Sequence, residues 1–119
     1  MAEKQREAAC NPEDLARFFM VRANVGDVEG LVSLYEPGAI LACPDGQLAV
    51  GTDAIRRFYS RLLADRPTFQ EGEQSPPLRN GNVALTSSRL KNGAVTAEIA
   101  RQQPDGTWLW AVDQPSVSR

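Results

Sequence analysis

The sequence contains no histidine, and this absence excludes the catalytic and metal-binding mechanisms that depend on that side chain. Histidine is the commonest general base and the commonest zinc ligand, and it completes Ser-His-Asp and Cys-His nucleophile systems. The two cysteines, Cys10 and Cys43, have neither CxxC spacing nor a histidine companion. We therefore expect no metal site, no cofactor, no redox pair and no hydrolase of the triad type.

Clusters of positive charge and long apolar runs are also missing. Thirteen basic and fifteen acidic side chains give a net charge of −2, and no basic cluster exceeds the pair Arg56-Arg57. Nucleic acid is therefore not an expected partner. No apolar run has the length of a membrane span, and residues 1–10 lack the apolar stretch of a signal peptide. We expect a cytoplasmic protein that does not contact a membrane.

The length of 119 residues fits one domain. A chain of this size buries roughly two thirds of its unfolded surface, so it needs no disulfide or metal to hold its core. The first ten residues are polar and carry charges of both signs. We predict a flexible leader over residues 1–10 and a single domain over residues 11–119.

Apolar residues at helical spacing predict three helices in the first half of the chain. The first begins at Asn11-Pro12, where an N-cap acceptor precedes a proline suited to the first helical position. The second is short and ends at Pro37-Gly38. The third begins at Gly51 and is the most clearly amphipathic. The apolar stripes of the three helices are Leu15, Phe18 and Phe19; Leu31, Leu34 and Tyr35; and Ile55, Phe58, Tyr59, Leu62 and Leu63.

Alternation and turn residues predict strands in the remaining segments. Residues 39–43 and 48–50 form a hairpin around Pro44-Asp45-Gly46, and a weaker strand covers residues 68–73. Asn92-Gly93 favours a type I′ turn joining strands 83–91 and 94–103. A turn at Pro104-Asp105-Gly106 leads into a last strand over residues 107–114. Helices followed by a strand meander indicate an α+β protein, with helices on one face of an antiparallel sheet.

The second face of that sheet also needs a cover. Trp108 and Trp110 share one face of the last strand because successive side chains alternate. We expect this apolar face to lie against another subunit and the protein to be a homodimer.

Three segments carry a family resemblance: Asn24-Val25-Gly26-Asp27 through Leu34-Tyr35, residues 51–59, and residues 103–108. With the order of elements, they resemble the ketosteroid-isomerase-like and SnoaL-like superfamily, which includes nuclear transport factor two. The resemblance covers almost everything after residue 10. It implies a cone in which three N-terminal helices pack on a curved antiparallel sheet and enclose a pocket. The superfamily includes isomerases, cyclases, hydrolases, dehydratases and modules that only bind or assemble.

Positions corresponding to the ketosteroid isomerase site are mostly changed. That enzyme uses an aspartate base with a tyrosine and a protonated aspartic acid as oxyanion donors. Phe19 falls at the tyrosine position, Cys43 at the base position and Glu98 at the second acid. The resemblance is closer to small SnoaL-like proteins without a settled activity, where Glu98 and Asp113 match familiar acidic positions. The resemblance therefore implies Glu98 and Asp113 as the catalytic candidates.

A two-residue turn at Asn92-Gly93 places Ser87 opposite Glu98 and Arg89 opposite Thr96, so Ser87, Arg89 and Glu98 share a sheet face. Facing the cone interior, Glu98 would be desolvated, with a raised pKa suited to acid/base work. The alternative is an ion pair with Arg89 or Arg101. Asp113 lies at a strand end near the expected cone mouth; its alternative is a solvated terminal acid.

Aromatic side chains supply the candidate pocket walls, although such stripes are also typical of ordinary core. Cys43 has apolar neighbours, which favour a buried structural thiol over a nucleophile. The predicted ligand-binding set is Phe19, Tyr35, Cys43, Phe58, Ser87 and Arg89.

Two functions remain open from the sequence. The first is a dimeric pocket protein that binds a small, largely apolar molecule, with isomerase-, cyclase- or hydrolase-like chemistry by Glu98 and Asp113. The second is a catalytically silent dimerisation or protein-interaction module.

Overall fold

Three helices lie on one face of a six-stranded sheet. The computed structural model describes residues 6–117. The helices are α1 (Asp14–Asn24), α2 (Val28–Val32) and α3 (Thr52–Leu62), followed by a 3₁₀ turn at Leu63–Asp65. The strands are β1 (Tyr35–Ala42), β2 (Leu48–Val50), β3 (Glu73–Gln74), β4 (Leu78–Asn80), β5 (Val83–Thr86), β6 (Ser88–Arg89), β7 (Ala97–Gln102) and β8 (Trp108–Gln114). The predicted α+β architecture is confirmed.

The sheet runs β2-β1-β8-β7-β5-β4, and β3 and β6 form a separate two-stranded sheet. Neighbouring strands are antiparallel except β1 and β8, which are parallel. The strand predicted over residues 68–73 is reduced to the two residues of β3. Because β8 lies between β1 and β7, the inward side chains of these three strands meet beneath the helices. This arrangement positions the candidate site.

The first and third helices form where the apolar spacing predicts them, but the first begins later than expected. Its N-cap is Glu13, without a side-chain cap hydrogen bond, and not Asn11, whose backbone N–H donates to Asp14 Oδ2 at 3.1 Å. The α3 helix begins directly after Gly51, whose φ of +87° is open to glycine at little cost. Ile55 and Tyr59 are its buried residues, so its apolar stripe faces the sheet.

The second helix is shorter than the sequence predicts. It ends at Val32, and its N-cap is Asp27, whose Oδ1 accepts a hydrogen bond from the Gly30 N–H at 3.0 Å. Tyr35 begins β1, and Pro37 lies within that strand instead of ending a helix. The pairing of β1 with β8 shifts register between Tyr35 and Ile40. Proline lacks the N–H of a regular ladder and is tolerated at such irregularities.

Three hairpin loops, residues 44–46, 91–93 and 104–106, share one geometry. Each ends in a glycine at positive φ, +85°, +92° and +89° respectively. In each, the central Asp or Asn side chain accepts a hydrogen bond at 2.9 Å from the backbone N–H two residues on. These features define a three-residue loop closed by a left-handed glycine.

The loop at 91–93 corrects the predicted register of the central hairpin. Asn92 does not have positive φ, so the turn is not type I′. The Leu90 N–H donates to the Ala94 carbonyl at 2.7 Å, which makes the loop three residues long. One extra loop residue moves every partner by one position. Thr86, not Ser87, therefore pairs with Glu98.

The same shift changes the partner of Arg89, which bridges to Val95 and not to Thr96. Ser87 and Arg89 therefore do not share the inward face with Glu98, contrary to the sequence prediction.

The tryptophans face the helices and not a second subunit. Trp108 and Trp110 do share one face of β8, but their exposed fractions are 0% and 4%, and both belong to the core. The expectation that these two rings form a subunit interface is therefore wrong. The helices cover this face, so the opposite sheet face is the one left without a cover.

That opposite face carries an unbroken row of exposed apolar side chains, which we call the outer apolar row. Its members are direct cross-strand neighbours, one from each strand of the sheet. Their exposed fractions lie between 38% and 69%. In sheet order the outer apolar row is Val50, Ile40, Val112, Ile99, Leu85 and Leu78.

The predicted flexible leader covers residues 1–10, of which residues 1–5 lie outside the described residues. Residues 6–10 contact the domain. Arg6 donates two hydrogen bonds to Asp27, at 2.6 and 2.8 Å, and the Trp108 N–H donates to the Ala9 carbonyl at 2.9 Å. Arg22 donates to the Glu7 carbonyl at 2.5 Å. Within residues 6–117, no helix is long and apolar enough to cross a bilayer.

Candidate functional site

Glu98 and Asp113 lie opposite each other on neighbouring strands. They are direct partners in the pairing of β7 with β8. Both side chains are on the helix-covered face, and their residues are only 8% and 7% exposed. The two sequence-predicted catalytic candidates are thus brought together in the interior.

Asp113 is held by a tyrosine from another strand. The Tyr35 hydroxyl donates to Asp113 Oδ2 at 2.5 Å. The hydroxyl oxygens of Tyr35 and Tyr59 are 2.6 Å apart. Since the single Tyr35 proton goes to Asp113, Tyr59 donates to Tyr35. A buried chain Tyr59–Tyr35–Asp113 therefore links α3, β1 and β8.

Glu98 is held by threonine hydroxyls and not by an arginine. Thr86 Oγ1 donates to Glu98 Oε1 at 2.7 Å, and the Thr96 hydroxyl is a second partner. Thr96 Oγ1 accepts from the Ser88 N–H at 2.9 Å, which leaves its proton for Glu98.

The alternative reading of Glu98 as a structural ion pair is not borne out among the described residues. Arg101 pairs with Glu36 at 3.0 Å, and Arg89 is exposed and forms no salt bridge with Glu98.

Burial dominates the titration of both carboxyls. It raises the pKa of Asp113 to about 7, with the Tyr35 hydrogen bond acting in the opposite direction and the Glu98 charge adding to the rise. Burial also raises the pKa of Glu98, against the two threonine hydroxyls. These directions follow because a low-dielectric interior disfavours the charged carboxylate. A pKa of about 7 places the titration of Asp113 near neutral pH, far above that of an ordinary carboxyl.

The tyrosines remain protonated donors. Burial is the largest cause that raises the pKa of Tyr35, followed by the Asp113 charge. Burial and Asp113 likewise raise the pKa of Tyr59, and Cys43 contributes a smaller rise. At neutral pH both hydroxyls therefore keep their protons and stabilise charge on Asp113.

The predicted ligand-binding residues separate into two groups. Phe19 packs against Tyr59 and Trp110, with ring centroids 6.1 and 6.3 Å apart, so it forms a wall beside the tyrosines. Tyr35 and Phe58 also contact Tyr59, with ring centroids 6.1 and 5.1 Å away, and Cys43 packs against the core. By contrast, the Ser87 hydroxyl donates to the Thr96 carbonyl at 2.7 Å, and Arg89 lies exposed on β6.

A groove of about 500 Å³ lies between α3 and the β1–β2 hairpin. Its apolar lining includes Cys43, Leu48, Ala49, Phe58 and Leu62. Burial raises the pKa of the Cys43 thiol, so the thiolate is disfavoured and a nucleophilic role is not supported. The groove lies next to the tyrosine chain because Phe58, which lines the groove, packs edge-on against Tyr59 with ring centroids 5.1 Å apart; neither Glu98 nor Asp113 lines the groove.

The indole nitrogen of Trp110 adds a donor to the same interior. It is buried and has no hydrogen-bond partner among the described residues. Its ring lies 5.2 Å from that of Tyr35. Within the described part of the chain, no group of three or more acidic or cysteine side chains could hold a metal ion.

Sequence reasoning missed the hydroxyl partners of the two acids. The sequence places Tyr59 in the apolar stripe of the third helix and Tyr35 among the pocket-lining aromatics of the second, and it predicts neither as a donor to an acid. Thr86 and Thr96 carry a usable signal, because the correct three-residue loop places Thr86 directly opposite Glu98. The contact of Tyr35 with Asp113 has no local signal, since 78 positions separate them.

The arrangement has the fold of ketosteroid isomerase-like and NTF2-like proteins, as solved structures show. A ketosteroid isomerase-like protein from Erwinia carotovora atroseptica superposes with a TM-score of 0.67 at 20% identity, over 90% of this chain and 94% of that one. An NTF2-like protein with a cystatin-like fold from Novosphingobium aromaticivorans gives 0.62 at 20% identity, over 84% and 75%.

A third solved structure, from Thiobacillus denitrificans, is assigned as a calcium/calmodulin-dependent protein kinase type II association domain. It gives a TM-score of 0.73 at 11% identity, over 92% of this chain and 96% of that one. No protein-family model and no curated protein matches the sequence significantly. At these identities the likeness establishes the fold, and function must be argued from the site.

Proposed function

We propose that the protein binds a small, largely apolar molecule in the interior of its cone and that Asp113 and Glu98 form a general acid/base pair. One observation carries the proposal: two buried carboxyls lie opposite each other, and a tyrosine hydroxyl donates to one of them. Pairs of titratable groups with shifted pKa values are typical of sites for proton transfer.

The two acids have different surroundings, which suits different roles. Burial and the charge of Glu98 raise the pKa of Asp113 to about 7, so its protonated form can donate to a substrate near neutral pH. Glu98 is charged where Asp113 titrates, and the Thr86 and Thr96 hydroxyls stabilise its carboxylate, which can accept a proton from a substrate. This chemistry fits an isomerase-, cyclase- or hydrolase-like reaction.

The ligand contacts follow from the residues around the pair. Phe19, Tyr35, Cys43 and Phe58 supply the walls of the proposed site. The groove between α3 and the hairpin shares Cys43 and Phe58 with these walls, and we propose it as the route from the surface to the two acids, which do not line the groove themselves. The steroid isomerase mechanism is not proposed, because Phe19 has no hydroxyl and Cys43 no carboxyl at the corresponding positions.

The outer apolar row favours a second candidate, a catalytically silent assembly module. An exposed apolar surface across all six strands is suited to burial against another copy of the chain. Association domains share the fold, which supports this reading. We propose a homodimer through this face whether or not the interior is catalytic.

Native mass spectrometry of the purified protein tests the two candidates. We expect a dimer with a bound small molecule, and Glu98→Gln should abolish turnover or proton-coupled binding of that molecule while the fold remains intact. Glu36→Gln is the matched control, because Glu36 pairs with Arg101 and not with the Glu98–Asp113 pair. A ligand-free dimer in which Glu98→Gln changes only stability would favour the silent module.

A further inference from the structure

We propose that the groove beside α3 recognises a carboxylate on the ligand through Arg57 and Arg61. This inference rests on the proposed ligand-binding function and specifies its substrate class: a small amphipathic carboxylic acid with an apolar body. The carboxylate lies at the two guanidinium groups, and the apolar body lies along the groove.

The two arginines are placed as a pair. They are four positions apart on α3, which puts them one above the other on one helix face, and both line the groove. Both are exposed, and neither side chain has a hydrogen bond or ion pair with another described residue. Their neighbour Arg56, in contrast, is held by Glu29 and Asp53 at 2.7 and 2.8 Å.

The charge of the groove favours an anion. Asp45 is the acidic residue in its lining, and one of its oxygens already accepts the Gln47 N–H at 2.9 Å within the hairpin turn. Two guanidinium groups against one carboxylate leave a positive region in a chain whose net charge is −2. Like charges one helical turn apart repel, and a bound anion relieves that repulsion.

The shape and lining of the groove select the rest of the ligand. Phe58 and Leu62 of α3 lie across it from β2, whose buried Ala49 is on the helix-covered face of the sheet. Its volume of about 500 Å³ lies in the range of small-molecule sites. Guanidinium groups match the two oxygens of a carboxylate in a planar, bidentate geometry, which a neutral amide cannot reproduce.

Amide-detected NMR titration with octanoate, and with octanamide as its neutral analogue, tests the inference. Octanoate should perturb the signals of the groove residues. Arg57→Gln and Arg61→Gln should each weaken its binding by about two- to fivefold, the usual scale for a solvent-exposed ion pair. The matched control Arg56→Gln removes the same charge from the same helix and should leave the affinity nearly unchanged. Octanamide should bind at least about tenfold more weakly than octanoate.

Two outcomes overturn the inference. Octanamide binding in the groove as tightly as octanoate would show that the arginines do not select a charge, while apolar binding itself would stand. Octanoate leaving the groove signals unperturbed would reject the carboxylate site. Neither outcome bears on Glu98 and Asp113, whose titration and whose Glu98→Gln variant test the proposed acid/base function separately.

Discussion

Tyr35 determines the state of Asp113 at the scale of single residues. Its hydroxyl donates to Asp113 and accepts from Tyr59, so one side chain connects the acid to α3. The hydrogen bond stabilises the carboxylate, whereas burial favours the neutral acid. Burial is the larger effect, so the pKa of Asp113 is raised to about 7.

Tyr35→Phe should raise the pKa of Asp113 further, because the stabilising donor is lost. The substitution also leaves the buried Tyr59 hydroxyl and Asp113 without their partner, at a cost of about 1–3 kcal/mol in unfolding free energy. Urea denaturation and carboxyl NMR measure the two effects. Tyr59→Phe is the control: it removes no direct hydrogen bond to Asp113 and should shift that pKa less.

The raised pKa of Asp113 also predicts how stability depends on pH. Its folded value of about 7 lies above the ordinary 3.8, so the folded state binds the proton more tightly. Proton binding by Asp113 therefore stabilises the folded state fully below the ordinary pKa of 3.8, and this stabilisation is lost as the pH rises through the folded pKa of about 7. Relative to Asp113→Asn, the wild-type unfolding free energy should fall between about pH 4 and about pH 7.

Denaturation across this pH range measures that difference. Carboxyls with lowered pKa values, such as Asp27 beside Arg6, contribute in the opposite direction but are present in both proteins, so their effect cancels. Identical pH profiles for wild type and Asp113→Asn would be inconsistent with a protonated buried Asp113.

At the scale of elements, the loop at 91–93 decides which residue faces Glu98. Alternation and the Asn92-Gly93 pair were enough to predict the hairpin. They do not distinguish a two-residue from a three-residue loop. With a two-residue loop Ser87 would pair with Glu98, whereas with the observed three-residue loop Thr86 does. The end of α2 was misplaced for a related reason, since local patterns do not reveal that Tyr35 pairs with the distant Trp110.

Gly93→Ala should destabilise the protein by about 1–2 kcal/mol, the usual cost of a left-handed conformation for a residue with a Cβ. The cost comes from backbone strain alone, because an added Cβ meets no atom within 4 Å. Thermal or urea unfolding measures it. Gly38→Ala is the matched control: that site is equally open but lacks positive φ, so the substitution should be neutral or slightly stabilising. Equal effects at both sites would argue against the assigned loop.

At the scale of the whole molecule, the outer apolar row is the main surface without a cover. The sequence correctly predicted that Trp108 and Trp110 share a face. It did not indicate which face, because Leu109 and Val112 make the other side of β8 apolar as well. Only the packing of the helices distinguishes the two sides.

The family resemblance predicted this architecture and pointed to Glu98 and Asp113 as the candidate acids. It did not predict the tyrosine and threonine hydroxyls that contact them.

Ile99→Asp should convert the proposed dimer to a monomer, because Ile99 lies in the middle of the outer apolar row and an unpaired charge is costly to bury. Sedimentation measures the change, and circular dichroism checks the fold. Val21→Asp on α1 is the control, since Val21 is 60% exposed and outside the row. A wild-type protein that sediments as a monomer at micromolar concentration would contradict the proposed interface.

Carbon-detected NMR titration of the side-chain carboxyls tests the central claim most directly, because it follows Glu98 and Asp113 individually. The account predicts that both titrate above ordinary carboxyls, Asp113 at about 7, since burial outweighs their hydroxyl donors. Titration of both acids at or below ordinary values would contradict a buried acid/base pair and leave the assembly module as the function.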